Sequence, residues 1–176
     1  RPGPAGPAEG GRVIELRGVS RRYALSGTVI EALRPTDLVI REGEFVSIVG
    51  HSGSGKRTLL SLVGGLARPD GGTVMLDGVD LRSHGDAGLS RLRNERFGFV
   101  YQFASLLPTL TAAENVLLPT LFGRPAPAGE AEALLREVGL GDKAGRYPSE
   151  LSGGEQQRAA IARAFVRARL VLADEP

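Results

Sequence analysis

The chain has 176 residues, 41% hydrophobic and 24% charged, which is typical of a soluble domain large enough to bury a core. Its 22 basic and 20 acidic residues give a net charge of +2 and are interspersed along the chain. The sequence therefore has no basic stripe that would favour nucleic acid as the main partner. Cysteine is absent, which excludes disulfides and cysteine-ligated metals, and no apolar segment approaches the ~20 residues needed to cross a bilayer.

The N-terminal region begins with RPGPAGPAEGG, which is mostly proline and glycine and predicts a flexible leader over residues 1–11. Residues 12–19 alternate apolar and polar side chains with the period of two that predicts a half-buried strand. A second strand is expected over about residues 29–40, interrupted at Pro35. Between them lies Tyr23, whose ring could stack on a base, although an aromatic residue in such a loop more often only packs.

A glycine loop follows the apolar run FVSIV at residues 45–49 and precedes leucines at helical spacing, which predicts strand, loop and helix. Gly50, Gly53 and Gly55 permit backbone conformations in which successive N–H groups turn inward around a phosphate. The helix N-terminus points its N–H groups at the same anion, and Lys56 adds a charge that reaches the outer phosphates. This is the Walker A pattern, G-x-x-x-x-G-K, and a glycine turn without a ligand is the less favoured alternative.

Position 57 departs from that pattern at the residue that normally binds the metal. A Ser or Thr hydroxyl usually follows the lysine and coordinates Mg²⁺, and here the residue is Arg57. Nucleotide binding is therefore better supported than hydrolysis. Thr58 is rotated by about 100° around the helix and is expected to face the α-phosphate side rather than replace the hydroxyl.

The central part of the chain predicts a hairpin and then a buried strand. Residues 72–80 are typical of a β-hairpin with Asp77 and Gly78 as its turn. After a short polar helix, the apolar residues 97–101 predict a strand that places Gln102 at its carboxyl end. Ligands of open α/β sheets bind beyond the carboxyl ends of the strands, so Gln102 is a candidate site residue.

A helical insert is expected over about residues 103–160. Thr111 and Glu114 match a capping box, which predicts that a helix begins there. Two prolines then mark a linker before a further helix at residues 130–138.

The sequence LSGGEQQR at residues 151–158 is a second glycine-bearing turn, and it opens a helix expected over residues 159–167. The N–H groups of that helix N-terminus and the small hydroxyl of Ser152 suit a phosphate. Taken alone, Ser152 as an ordinary capping residue is the favoured alternative.

The chain closes on the apolar strand LVLA followed by Asp174 and Glu175. Because side chains alternate along a strand, one acid can hold a metal through water while the next orients an attacking water. Two acids at a strand end are usually a solvated terminus, but the Walker A loop upstream favours the catalytic interpretation.

These motifs occur in an order that resembles the ATP-binding subunit of ABC transporters over residues 12–176. LSGGEQQR is the most specific of them because it is similar to the signature motif of that superfamily. The stretches GTVIEALRPTDLVIREGEF and FVYQFASLLPTLTAAENVLLP resemble the bacterial lipoprotein-release and macrolide-export type. The resemblance implies an α/β fold, with a P-loop NTPase core of parallel sheet flanked by helices, an N-terminal antiparallel β subdomain and the helical insert.

The same resemblance implies ATP and Mg²⁺ as cofactors and assigns a role to each matching residue. Gln102 would sense the metal and the γ-phosphate, Asp174 would support Mg²⁺, and Glu175 would be the general base. Tyr23 would stack on adenine. The residues expected to contact nucleotide are Tyr23, Gly50, Ser52, Gly53, Ser54, Gly55, Lys56, Arg57, Thr58, Ser152, Gly153 and Gly154.

The resemblance also implies partners and a location. The signature motif would contact the nucleotide of a second subunit, which gives a head-to-tail homodimer with two ATP molecules at its interface. Transmembrane permease subunits would be the other partners, with no nucleic acid, and the subunit would be cytoplasmic and peripheral on the inner face of the cell membrane. The missing initiator methionine and the end at Pro176 lead us to expect an incomplete domain, truncated at the C-terminus.

Two alternatives remain open from the sequence. Arg57 favours a module of the same fold that binds ATP without hydrolysing it. A soluble ABC-type ATPase acting on ribosomes or DNA is the less favoured alternative, because it should carry long coiled-coil insertions, a second ATP domain or a basic stripe.

Overall fold

The computed structural model describes residues 11–25, 27–123 and 125–175. They form two compact units, one ending at Leu89 and the other beginning at Ser90. Apart from Gly11, the predicted leader lies outside the described residues. None of the helices within these ranges is long and apolar enough to cross a membrane.

An antiparallel sheet of four strands forms the centre of the first unit. The alternation predicted at the N-terminus is confirmed, because Ile14 and Leu16 are fully buried while Arg17 is exposed. The hairpin turn is also confirmed, since Asp77 and Gly78 have φ values of 48° and 80°, as a two-residue turn of type I′ requires. The strands are β1 (Arg12–Leu25), β2 (Thr28–Arg41), β3 (Gly71–Leu76) and β4 (Val79–Asp80). They lie side by side in the order β2-β1-β3-β4.

Both N-terminal strands are longer than the sequence predicts, and two expectations are corrected as a result. Tyr23 lies within β1, opposite Ile30, and not in a loop between the strands. Pro35 does not interrupt β2, because it is exposed on an edge strand at a shift in the β1–β2 register, where its missing N–H costs no ladder bond.

The strand predicted at residues 45–49 is wrong. This segment has no regular secondary structure, and Phe45 and Val49 are 96% and 87% exposed. A strand exists only through hydrogen bonds to a neighbour, and no strand in the described part of the chain pairs with this segment. Apolar character alone therefore did not determine its structure.

Two helices follow the phosphate-loop region in the sequence. Helix α1 (Lys56–Val63) buries Leu59, Leu62 and Val63 and ends at Gly64, close to the predicted position. Helix α2 (Asp86–Arg96) is longer than the polar helix that the sequence indicates, and a 3₁₀ turn at Leu81–Ser83 precedes it.

A parallel pair of strands and three helices form the second unit. Strands β5 (Phe97–Val100) and β6 (Leu170–Ala173) pair in parallel, as expected for the core of the predicted α/β fold. The helices are α3 (Ala112–Leu117), α4 (Glu130–Glu137) and α5 (Gly153–Phe165), with 3₁₀ turns at Leu118–Phe122, Gly141–Lys143 and Pro148–Glu150.

The helices of this unit share one apolar core, so the segment predicted as a helical insert is helical and packed. Helix α5 begins earlier than predicted, directly after Ser152, and ends at Phe165. Its alanines let the helices approach closely. The buried core residues are Ala112, Val116, Ala131, Leu135, Leu140, Leu151, Ala159, Ala162 and Val166.

Candidate functional site

The glycine loop before α1 has the backbone geometry that its sequence predicts. Gly53 and Gly55 have φ values of 78° and 90°, in the left-handed region that favours glycine. A Cβ atom on Gly55 would lie 2.4 Å from the carbonyl oxygen of Ala32 in β2, so a side chain cannot fit there. Glycine is therefore required at position 55 both by its φ value and by the close approach of the β2 backbone.

Lys56 folds back over this loop. Its Nζ atom donates to the carbonyl oxygens of Gly50 at 2.7 Å and His51 at 3.0 Å. Gly55 precedes the helix, and among the described residues no side chain caps the N-terminus of α1. The first turn of α1 also carries no acidic residue. The end of the helix is therefore left for an anion, with the ammonium group of Lys56 beside it.

The two positions after Lys56 lie on different sides of α1. Arg57 is exposed and Thr58 is half-buried, as expected from a rotation of about 100° per residue. The carbonyl oxygen of Arg57 accepts a hydrogen bond from Ser61 Oγ at 2.8 Å. In the loop itself, Ser52 and Ser54 are both exposed.

Tyr23 is partly exposed on β1 and carries a cation on its ring. The guanidinium carbon of Arg21 lies 4.8 Å from the ring centroid. Arg21 is held in turn by Asp70 Oδ1 at 2.8 Å and by the carbonyl oxygen of Arg68 at 3.0 Å. A base could therefore stack only on the opposite face of the tyrosine ring.

The parallel strands of the second unit bring three candidate residues to one sheet edge. The backbone N–H of Asp174 donates to the carbonyl oxygen of Val100 at 2.9 Å, so the carboxyl ends of β5 and β6 are adjacent. Asp174 is half-buried there, and the exposed Glu175 has a φ value of 48°. Gln102 is exposed two residues beyond β5. The edge thus collects carboxylate and amide oxygens, which are the donors that Mg²⁺ prefers.

Two side chains of α5 hold the backbone around Gln102. The guanidinium of Arg163 donates to the carbonyl oxygens of Ala104 at 2.9 Å and Ser105 at 3.0 Å, and burial lowers the pKa of Arg163. Gln157 Nε2 donates to the carbonyl oxygen of Tyr101 at 2.9 Å. Arg163 and Gln157 were not predicted as site residues, and only their position in the helix after LSGGE could have indicated them.

The N-terminus of α5 is closed by its own side chains. Glu155 Oε2 accepts from the backbone N–H of Ser152 at 2.8 Å and from its hydroxyl at 2.9 Å. The backbone N–H of Glu155 donates back to Ser152 Oγ at 3.4 Å, which completes a capping box. The role of Ser152 as a capping residue is thus confirmed. Gly153 and Gly154, the first residues of the helix, are exposed.

Glu155 also forms an ion pair with Lys143, which lies in the 3₁₀ turn Gly141–Lys143. The hydrogen bond from Lys143, followed by those from the backbone and hydroxyl of Ser152, lowers the pKa of Glu155 to about 2. Glu155 is therefore ionised throughout the physiological pH range.

The candidate residues are divided between the two units. The loop, Lys56 and Tyr23 lie in the first unit, whereas Gln102, Ser152 and the two terminal acids lie in the second. Within the described ranges, no three His, Asp or Glu side chains are grouped closely enough to hold a metal ion by themselves. A Mg²⁺ ion at Asp174 would therefore need further donors besides this carboxylate, such as amide, water or nucleotide oxygens.

Comparison with known sequences gives a consistent family. The profile of the ABC transporter family matches residues 33–176. The lipoprotein-releasing system ATP-binding protein LolD of Anaeromyxobacter dehalogenans is 49% identical over 168 residues, which cover 93% of this chain and 70% of LolD. The macrolide export ATP-binding/permease protein MacB 1/2 of Paracoccus denitrificans is 47% identical over 171 residues, or 95% of this chain. The chain spans only 26% of that second, longer relative.

Solved structures show the same fold. The cassette MJ0796, in a dimeric post-hydrolysis state bound to ADP and Pi, has a TM-score of 0.84 and is 41% identical, covering 92% of this chain and 73% of that one. A dimeric structure of MJ0796 described as a bacterial ABC transporter cassette has a TM-score of 0.82 at the same identity and coverage. The protein cbiO1 of Clostridium perfringens, 24% identical with a TM-score of 0.78 and covering 94% of this chain and 66% of that one, is similar in fold.

Proposed function

This chain belongs to the ABC transporter family of ATP-binding domains, and from that premise we propose that it binds and hydrolyses ATP to power an export or lipoprotein-release system. The observation that carries the proposal is the phosphate loop, in which left-handed glycines and Lys56 stand before a helix N-terminus without a side-chain cap. Backbone N–H groups, a helix dipole and one ammonium group then converge on a polyphosphate.

The first unit would hold the nucleotide of its own subunit. The N–H groups of the loop would bind the β-phosphate, and Lys56 would exchange its two carbonyl contacts for phosphate oxygens. Adenine would stack on the face of Tyr23 opposite Arg21. Thr58, on the inner side of α1, would lie near the α-phosphate.

The sheet edge of the second unit would support the chemistry. Asp174 and Gln102 would supply oxygen donors that fit Mg²⁺, which when bound would neutralise charge on the phosphates. Glu175 would accept the proton of the attacking water as the general base. Arg163 and Gln157 would keep the backbone around Gln102 in place through their carbonyl contacts.

The signature turn would act on a second subunit. Ser152, Gly153 and Gly154 would contact the γ-phosphate of the nucleotide held by the partner, so that two ATP molecules close a head-to-tail homodimer. The dimeric state described for MJ0796 at 41% identity supports this arrangement. Binding of ATP would then close the dimer, and hydrolysis would allow it to reopen.

The helical part of the second unit would transmit this closure to transmembrane permease subunits at the cytoplasmic face of the membrane. Phe103, directly after Gln102, is exposed, as are Leu121 and Phe122 at the end of a 3₁₀ turn. Contiguous exposed apolar patches mark contact surfaces, and the adjacent residues Leu121 and Phe122 would contribute to one. The similarity to LolD and to the MacB ATP-binding/permease protein supports a permease as the partner.

Arg57 favours one alternative, an ATP-dependent module with little turnover. A guanidinium where a hydroxyl normally binds Mg²⁺ can pair with phosphate oxygens but repels the metal. Loss of the stabilisation that the metal gives the transition state is worth several kcal/mol, and each ~1.4 kcal/mol is about tenfold in rate.

Phosphate release by the full-length protein separates the two functions. The low-turnover alternative predicts weak turnover that depends little on Mg²⁺ and that Arg57→Ser raises by at least about a hundredfold. Lys56→Ala serves as the control that removes turnover from both backgrounds. If the unmodified protein already hydrolyses ATP at a rate that Arg57→Ser cannot improve, the proposed effect of Arg57 is wrong.

A further inference from the structure

Two capping boxes in the second unit have nearly the same geometry and different surroundings. At α3, Glu114 Oε2 accepts from the N–H and hydroxyl of Thr111 at 2.7 and 2.8 Å. At α5, Glu155 Oε2 accepts from the same two groups of Ser152 at 2.8 and 2.9 Å. As local structures that begin a helix, the two boxes are equivalent.

The difference between them is the second oxygen of the carboxylate. Glu155 Oε1 pairs with Lys143, which lies twelve residues earlier in the chain. Among the residues that the structure describes, the polar contacts of the Glu114 carboxylate are with Thr111. Glu155 is thus held from both sides, by Lys143 on one oxygen and by Ser152 on the other, and its side chain is only 17% exposed.

A carboxylate in the first turn stabilises a helix but opposes an anion at the same place. Glu155 lies three residues into the turn that the proposed function assigns to a γ-phosphate, and it is ionised at neutral pH. Two negative charges this close repel strongly when they are partly shielded from water. A neutralising cation is therefore needed if this helix end is to accept a phosphate.

We propose that Lys143 is a positioning residue for the signature turn, neutralising Glu155 and holding its carboxylate so that the α5 N-terminus can accept the phosphate of the partner's nucleotide. The inference rests on the proposed head-to-tail dimer. In this arrangement Ser152 turns its hydroxyl from Glu155 to the phosphate when the dimer closes, while the Lys143–Glu155 pair and the bond from the Ser152 N–H remain.

A neighbouring ion pair gives a matched control. Arg146 Nη1 donates to Glu150 Oε1 at 2.7 Å, and Glu150 Oε2 caps the N–H of Tyr147 at 2.8 Å. This pair also joins a basic side chain to a capping glutamate, in the 3₁₀ turn Pro148–Glu150, but it lies outside the proposed phosphate site. Loss of Arg146 should therefore leave dimer closure unchanged.

The test measures the ATP-dependent monomer–dimer equilibrium of the full-length protein by sedimentation, in a Glu175→Gln background that preserves the nucleotide. We expect Lys143→Met to weaken dimerisation by at least about tenfold, and we expect Lys143→Arg and Arg146→Met to remain within about threefold of the reference. Removing both charges in Lys143→Met/Glu155→Gln should restore dimerisation to within about threefold, because no carboxylate then needs a counter-ion. The affinity of each monomer for ATP should not change.

The outcomes separate the inference from the function on which it rests. If the Glu175→Gln reference protein binds ATP but stays monomeric, the proposed dimer is contradicted, and the role proposed for Lys143 is contradicted as well. If the reference dimerises and Lys143→Met dimerises equally well, the inference alone is overturned. A Lys143→Met defect that Glu155→Gln fails to rescue would assign Lys143 a purely structural role and would also overturn it.

Discussion

Helices α1 and α5 both begin at a glycine-bearing turn, but a side chain caps the N-terminus of α5 and none caps that of α1 within the described residues. The end of α1 follows Gly55 in the left-handed region, lacks a side-chain cap within the described part of the chain, and has Lys56 beside it. The end of α5 is closed by Ser152 and Glu155. We call the uncapped N-terminus of α1 the open end and the capped N-terminus of α5 the closed end. The N–H groups of an open end are available to an anion, whereas an anion at a closed end has to replace the hydrogen bonds of the cap.

This difference assigns different tasks to the two turns. Under the proposed function, phosphate binding at α1 would break the contacts of Lys56 with two loop carbonyls, and we expect one subunit alone to hold ATP there. Phosphate binding at α5 would have to displace the Ser152 hydroxyl from a charged carboxylate, so we expect that contact to be weaker. We therefore expect the first turn to determine nucleotide affinity and the second to determine dimer closure.

The largest effect is expected at the open end. Lys56→Ala removes a full charge from the ground-state complex, and we expect it to weaken ATP binding by at least about a hundredfold, since charge-assisted hydrogen bonds contribute about 1.5–3 kcal/mol each. Glu175→Gln removes only the general base and should leave the affinity nearly unchanged. Titration calorimetry with ATP would show the contrast, and equal losses in both variants would contradict the assigned roles.

A smaller effect should distinguish the closed end from an ordinary cap. Thr111→Ala and Ser152→Ala each remove the hydroxyl of a capping box, so both should lower the free energy of unfolding by about 1 kcal/mol. Only Ser152→Ala should also weaken ATP-dependent dimerisation, by about tenfold or more. Denaturant unfolding and sedimentation with ATP measure the two quantities. A dimerisation defect of the same size in Thr111→Ala would show that general stability is responsible.

The smallest effect concerns the pH dependence of stability. The pKa of Glu155 is lowered from 4.5 to about 2, so its contacts stabilise the folded state fully above pH 4.5 and lose their contribution as the pH falls towards 2. We expect the difference in Tm between the unmodified protein and Glu155→Gln to shrink over this window. A difference that stays constant from pH 5 to pH 2 would contradict the lowered pKa.

Features that depend on neighbouring residues in the chain could be predicted from the sequence. The capping box at Thr111, the turn at Asp77 and Gly78, and the end of α1 near Gly64 all follow from local backbone chemistry. The positions of β5 and β6 could be predicted from their short apolar runs, whereas their parallel pairing was expected from the family resemblance.

Features that depend on distant partners could not. Residues 45–49 have a strand-like composition, but a strand also needs a neighbouring strand to pair with, and local sequence does not reveal whether one is present. The length of β1, and with it the position of Tyr23, is set by pairing with β2. Lys143 reaches Glu155, and Arg163 reaches the backbone near residue 105, through packing across many residues. Neither contact leaves a periodic or spaced pattern in the sequence.

The most direct test of the account is complementation between two defective subunits. Lys56→Ala removes the ammonium group from the N-terminus of α1, and Ser152→Ala removes the hydroxyl from the N-terminus of α5. Neither variant of the full-length protein should therefore form an ATP-dependent dimer at concentrations where the unmodified protein does. A mixed dimer retains one complete site, made from Lys56 of one chain and Ser152 of the other. The account predicts that mixing the variants gives an ATP-dependent dimer with one tightly bound nucleotide. A mixture that sediments as monomer, like its two components, would contradict it.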